Sequence, residues 1–241
     1  MNKFNIPAPL LLLLIVFAFT TFGCSQSSEY KANENAIELM EEQEYTKAIQ
    51  ELSTIIDGDK NYLPAYYNRA ICYSYLNQNK AALNDLNFVI SKQEYEEEAY
   101  LNRAILFENQ KDYKAAIKDY THIITLNPKN IRALHFRGIC KYYSKDYTGA
   151  LADYNLAIQY GLNSSGVFYN KAVALDCLEQ FANAIKYYGK AIHIDKNLER
   201  AYFARGVANL KNGNKEAAIA DIKQSEKLGF KKAAEALQEI G

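Results

Sequence analysis

Six alanines stand 34 residues apart without a miss: Ala48, Ala82, Ala116, Ala150, Ala184 and Ala218. A fixed period of this length constrains a chain strongly, because each period must be one supersecondary unit that buries its apolar side against its neighbours. Each alanine is followed by Ile or Leu (Ile49, Leu83, Ile117, Leu151, Ile185 and Ile219). Twelve residues earlier lies another small residue: Ala36, Ala70, Ala104, Gly138, Ala172 or Gly206. Four residues later comes a bulky one: Leu52, Leu86, Tyr120, Tyr154, Tyr188 or Ile222.

Within each period the apolar spacing is helical. In residues 131–144, Leu134, Gly138 and Ile139 fall on one face, and residues 147–160 repeat the arrangement with Ala150, Tyr154 and Ala157. The two helices are separated by a short polar turn, Lys111-Asp112 or Lys145-Asp146, each followed by a tyrosine. Asp fits there as a cap for the free N–H groups of the second helix. The small residues let two helix backbones approach while the bulky residue opposite fills the remaining space. Only four prolines occur in 241 residues, which leaves long stretches free of helix breakers and favours an all-helical body.

The segment from Ala133 to Ile158 resembles a tetratricopeptide repeat, a 34-residue helix-turn-helix with small–aromatic–small signatures and often a closing proline, here Pro128. The resemblance implies an all-α solenoid, a superhelical stack curving to the right. Its six repeats are 29–62, 63–96, 97–130, 131–164, 165–198 and 199–232, followed by a C-terminal capping helix over 233–241. The Trp common near the start of family repeats is absent; Tyr66, Tyr100, Leu134, Phe168 and Tyr202 take its place. In the family the first helices line a concave groove for an extended peptide or a partner's helix. Carried over, the partner-binding groove comprises Tyr67, Asn68, Leu101, Asn102, His135, Phe136, Tyr169, Asn170 and Phe203. Asn68, Asn102 and Asn170 could hydrogen-bond a bound backbone, and the aromatics supply rigid contact area. Solvent-facing Asn and inward-facing Tyr are the competing arrangement. Repeats that clamp a terminal carboxylate need an Asn where this chain has Ile37, Ile71, Ile105, Ile139, Val173 and Val207, with Arg132 and Arg200 the only bases at the other clamp positions. That pattern suits a less charged ligand.

The first residues read as an address. Lys3 precedes an apolar run from Leu10 to Phe22, which as a helix spans about 20 Å and is too short for a bilayer of about 30 Å. Gly23-Cys24 and the polar residues after it resemble a bacterial lipoprotein signal. The resemblance implies a signal peptide over 1–23, lipidation at Cys24, a tether over 24–28 and attachment to the cell envelope. Ser25, where inner-membrane lipoproteins often carry Asp, favours the outer membrane. Several acyl chains would anchor a soluble body durably.

A second 34-residue series joins Arg69, Arg103, Arg137, Lys171 and Arg205 to Glu51, Asp85, Asp119, Asp153 and Asp221. In the acidic series Tyr187 replaces Asp in the repeat whose basic residue is Lys171. The co-variation points to pairing within or between adjacent repeats, against the alternative of two solvated rows. Cys72, Cys140 and Cys177 have neither disulfide nor zinc spacing and read as buried free thiols. His122, His135 and His193 show no metal-ligand spacing, and no catalytic or phosphate-binding motif is present; no cofactor is expected. A His135–Cys140 nucleophile–base pair is conceivable, but a packed thiol beside a groove imidazole is the simpler reading. With 28 basic and 28 acidic residues there is no electrostatic case for nucleic acid. The functional expectation is a non-enzymatic protein-interaction scaffold or adaptor, tethered by its N-terminal lipid. Its alternatives are a subunit of an outer-membrane assembly, secretion or polysaccharide-export complex, and a cell-wall glycan binder that would use Tyr67, Tyr169 and Phe203.

Overall fold

The computed structural model describes residues 28–93 and 96–240. The expected signal peptide, Cys24 and the tether up to residue 27 lie outside the described residues. The described chain is all-α, of the α-solenoid class, with α1 (Ser28–Glu41), α2 (Tyr45–Gly58), α3 (Leu63–Tyr75), α4 (Asn79–Ser91), α5 (Glu96–Asn109), α6 (Tyr113–Leu126), α7 (Ile131–Tyr143), α8 (Tyr147–Gln159), α9 (Ser165–Cys177), α10 (Phe181–Ile194), α11 (Glu199–Lys211), α12 (Lys215–Lys227) and α13 (Lys231–Ile240). They form two compact bodies, one ending at Gln110 and the other beginning at Lys111. The third 34-residue period is divided between them, α5 in the first body and α6 in the second.

Where both helices of a period lie in one body, the first packs on the second, and that second helix packs on the next first helix: α1 on α2 and α2 on α3, then α7 on α8 and α8 on α9. First helices also touch each other, α1 with α3, α3 with α5, α7 with α9 and α9 with α11. Within either body no second-helix pair among the described residues makes comparable contact. The first helices therefore lie on the tight side of each stack.

The small-and-bulky pattern forms the seam of each hairpin. All six period-marking alanines are fully buried, and so are Tyr120, Tyr154 and Tyr188, the last two opposite Gly138 and Ala172 in the repeat pattern. A Cβ added to Gly138 would lie 2.6 Å from the Tyr154 ring, and one added to Gly206 would lie 2.7 Å from Ile222. At these two positions the bulky partner already occupies the side-chain space, so a Cβ would have to displace it.

Turns between paired helices share one backbone solution. Gln43, Asn77, Lys111, Lys145, Glu179 and Gly213, each 34 residues apart, have φ between 57° and 84°. The N–H of Lys145 donates to Tyr142 O and that of Asp146 to Lys141 O, which closes α7 with a left-handed residue. Asp146 then caps α8, its Oδ1 accepting from Gly149 N at 2.9 Å, and Asp112 caps α6 through Ala115 N at 3.1 Å. Connections between hairpins alternate instead. After α2, α6 and α10, the carboxylate or amide of Asp59, Asn127 or Asp195 accepts from the backbone N–H two residues on. After α4, α8 and α12, a left-handed Gln93, Gly161 or Gly229 makes the turn. The underlying period of these connections is thus two hairpins.

The charge rows pair within a repeat, 16 residues apart. Arg69 Nε and Nη2 donate to Asp85 at 2.8 and 2.9 Å, Arg137 to Asp153 at 2.9 and 2.7 Å, and Arg205 to Asp221 at 2.8 and 2.6 Å. The third nitrogen reaches back to the preceding second helix. Nη1 of Arg69, Arg103 and Arg137 donates to Ser53, Asn87 and Thr121 at 3.1, 2.6 and 3.1 Å. Lys171 places its ammonium 3.8 Å from the Tyr187 ring centre, so the substituted pair remains a pair, now cation–π. It also hydrogen-bonds the Tyr187 hydroxyl, which lowers the pKa of that phenol.

The thiols divide. Cys72 and Cys140 are buried as expected, whereas Cys177 is exposed, a correction that follows from its place at the end of α9. Stacked rings join neighbouring hairpins on the same edge, Tyr45 with Tyr75 at 4.5 Å and Tyr113 with Tyr143 at 5.0 Å. Among the described residues no helix is long and apolar enough to cross a membrane.

Two stability measurements follow. Gly138→Ala should cost about 1–3 kcal/mol in urea unfolding, because a methyl group must displace the Tyr154 ring. Gly166→Ala, where a Cβ meets nothing closer than 3.9 Å, should be neutral or stabilising by up to about 1 kcal/mol. In a double-mutant cycle, Arg137 and Asp153 should couple by more than about 1 kcal/mol. Their side chains are only 14% and 2% exposed, so Asp153→Ala alone should cost on the order of 3 kcal/mol.

Candidate functional site

The first-helix face is built at two adjacent positions of each repeat, and their side chains meet across hairpins. Asn68 Nδ2 on α3 donates to Asn33 Oδ1 on α1 at 3.1 Å. Asn102 Nδ2 on α5 donates to the Tyr67 hydroxyl at 2.7 Å. In the second body Asn170 Nδ2 lies 3.3 Å from His135 Nε2. All three pairs are 35 residues apart, so one residue of each helix meets the next residue position of the following first helix. Asn33 was missed as a ladder member; its signal is its position one period before Tyr67.

These contacts decide which side chains remain accessible. In the first body Tyr67, Asn68, Leu101 and Asn102 are all buried, and Ile71 and Ile105 beside them are buried too. In the second body Tyr169 is buried, while His135, Phe136, Asn170 and Phe203 are half-buried. Ile139, Val173 and Val207, the apolar stripe along α7, α9 and α11, are also half-buried. Arg132 and Arg200 begin the two outer helices of this face with Gly166 between them on α9, and the Arg200 guanidinium sits 5.2 Å over the Tyr169 ring. At the opposite end of the helices, Lys211 Nζ donates to Asp176 at 3.0 and 3.2 Å, again 35 residues apart. The open part of the face is therefore an apolar stripe with an aromatic at each side, bounded by arginine at one end and an ion pair at the other.

Burial lowers the pKa of His135 to about 4. An amide N–H from Asn170 needs an unprotonated Nε2 as its acceptor, which agrees with a neutral ring. Burial pushes the Cys72 thiol up to about 12, the opposite of an activated nucleophile. His135 is turned to Asn170, and Cys140 is fully buried on the same helix. Among the described residues no group of His, Cys, Asp and Glu could hold a metal ion.

Family models described as tetratricopeptide repeat match residues 97–130, 165–198 and 199–228. These three segments are thus similar to tetratricopeptide repeats, in keeping with the helical-repeat fold. Among solved structures, it is similar to the C-terminal part of a tetratricopeptide-repeat-containing protein from Cytophaga hutchinsonii, with 17% identity over 81% of this chain and 78% of that one, TM-score 0.72. A MamA structure from Desulfovibrio magneticus RS-1 matches at 19% identity over 70% of this chain and 95% of that one, TM-score 0.67. A tetratricopeptide repeat protein from Parabacteroides merdae matches at 22% identity over 88% and 82%, TM-score 0.60. At these identities the likeness is one of fold. No curated protein sequence gives a significant match.

The depressed His135 pKa has a direct consequence for stability. The unfolded chain takes up a proton near pH 6.5 and the folded chain only near pH 4, so stability falls as pH drops through that window. Comparing unfolding at pH 7 and pH 4.5, His135→Gln should remove on the order of 2–3 kcal/mol of this dependence, since the carboxylates titrate in both proteins. Identical pH slopes for the two proteins would show that His135 is not held neutral.

Proposed function

We propose that this protein is a non-enzymatic scaffold of the bacterial cell envelope, anchored by lipid on Cys24 in the outer membrane. It holds a peptide or partner protein against the first-helix face of its second body. The observation that carries this reading is the contrast between the two bodies. In the first, the face along α3 and α5 is closed by its own ladder. In the second, Phe136, Ile139, Val173 and Phe203 leave apolar surface open beside polar groups that fix orientation. Such a surface grips a partner by several modest contacts spread along the array. Tyr67 and Tyr169 are buried, so they offer no open ring for stacking sugars, which favours a protein ligand over a glycan.

The anchor and the face are tested separately. Palmitate labelling and membrane retention should be lost in Cys24→Ala; unchanged labelling and retention in that variant would defeat the anchoring claim. A photo-crosslinking residue placed at 136 or 203 in cells should give discrete protein adducts, and the same residue at Asn155, exposed on α8, should not give those adducts. Identical adducts from all three positions, or none from 136 and 203, would remove the first-helix face as the binding surface.

A further inference from the structure

We propose that the side of the second body formed by its second helices is a docking surface for an anionic lipid bilayer. Two independent distributions meet there. The first is charge. Residues 111–241 carry 20 Lys and Arg against 13 Asp and Glu, whereas residues 1–110 carry 8 against 15. On the second helices of the second body the acids are largely withdrawn, because Asp119, Asp153 and Asp221 are buried. The lysines remain outside: Lys114 and Lys118 on α6, Lys186 and Lys190 on α10, and Lys223 and Lys227 on α12 are exposed. Helix α10 carries no acidic residue at all, and the exposed acids Glu216 and Glu226 both lie on α12, where Lys215 offsets one of them.

The second distribution is apolar. The large hydrophobic side chains most exposed among the described residues are Leu126 at 49%, Leu156 at 36% and Ile194 at 45%. All three lie on these same second helices, α6, α8 and α10. Each follows the helical spacing of its exposed neighbours: Leu156 one turn after Ala152, and Ile194 one turn after Lys190. Lys190 also lays its ammonium 5.0 Å over the Tyr187 ring, so an aromatic body lies beneath the charge. Lysines interspersed with isolated aliphatic side chains suit the boundary between headgroups and acyl chains, where ammonium groups meet lipid phosphates and aliphatic groups enter the interface. An acidic protein would satisfy the lysines but leave Leu156 and Ile194 without a reason to project. Bilayer docking by this side would turn the opposite, first-helix face of the second body away from the lipid.

The chain contains no Trp, so a single introduced Trp reports alone. The full chain carrying Leu156→Trp would be reconstituted with vesicles of brominated phosphatidylcholine, with or without phosphatidylglycerol. The anionic vesicles should shift its emission to the blue and quench it, with apparent affinity about tenfold above neutral vesicles and lost at high salt. Lys186→Glu with Lys190→Glu, exposed changes checked for retained helicity, should abolish the quenching. Phe136→Trp, on the first-helix face, should stay unquenched. Flotation with neutral vesicles reads the lipid anchor independently, so loss of flotation counts against the Cys24 reading alone. An unquenched Trp at 156 on anionic vesicles, equal quenching at 136 and 156, or polyglutamate binding without quenching would overturn the proposal.

Discussion

The close approach of two helix backbones within each hairpin is the constraint on which the rest of the structure depends. It exists because one helix presents Ala or Gly where the other presents a Leu, Ile or Tyr. Beside Tyr154 and Ile222 glycine takes the site, and a methyl group there would have to push the neighbouring side chain aside. Without that approach the next hairpin would have no flat surface on which to lean, because α2, α4, α8 and α10 each contact both their own first helix and the following one. Stability in such an array is a sum over hairpins and their interfaces, so a repeated seam has more effect than any single contact.

Polar staples fix the register that the seam permits. A guanidinium in fork geometry answers one carboxylate with two nitrogens and still has a third for the preceding second helix. Three helices are thereby held by one side chain. The aspartates tolerate burial because their oxygens are matched in this way, with Lys141 joining Asp153 and Asn209 joining Asp221. The exchange to Lys171 and Tyr187 keeps the same geometric link with different chemistry, since a point-charged ammonium sits well over an aromatic ring.

The ladder on the first-helix face explains why neighbouring repeats of similar sequence offer different surfaces. An asparagine within hydrogen-bond reach of a tyrosine hydroxyl or another amide gives its donor to that neighbour, and both side chains are buried. In the second body the partner is an imidazole whose neutrality burial enforces, and the adjacent positions are Phe and Ala, which close the face less completely. Accessibility is thus set pair by pair across hairpins.

The sequence by itself determined the helical class, the hairpin period, the seam, the aspartate caps at 112 and 146, and the existence of paired charge rows. Each of these depends on residue type at a fixed spacing, which is visible along one chain. The left-handed turn residues were hidden because Gln, Asn, Lys, Glu and Gly all occupy them, their conformation being imposed by the helix ends they join. The two-hairpin alternation of the connections was likewise masked by the stronger 34-residue signal. Only the tertiary structure decided that the Arg–Asp pairs lie within a repeat, that Cys177 is exposed, that two compact bodies divide after Gln110, and which candidate face residues stay open. Those outcomes depend on what packs against each side chain from residues 16 or 35 positions away, and burial is a property of that surrounding density, which no local pattern carries.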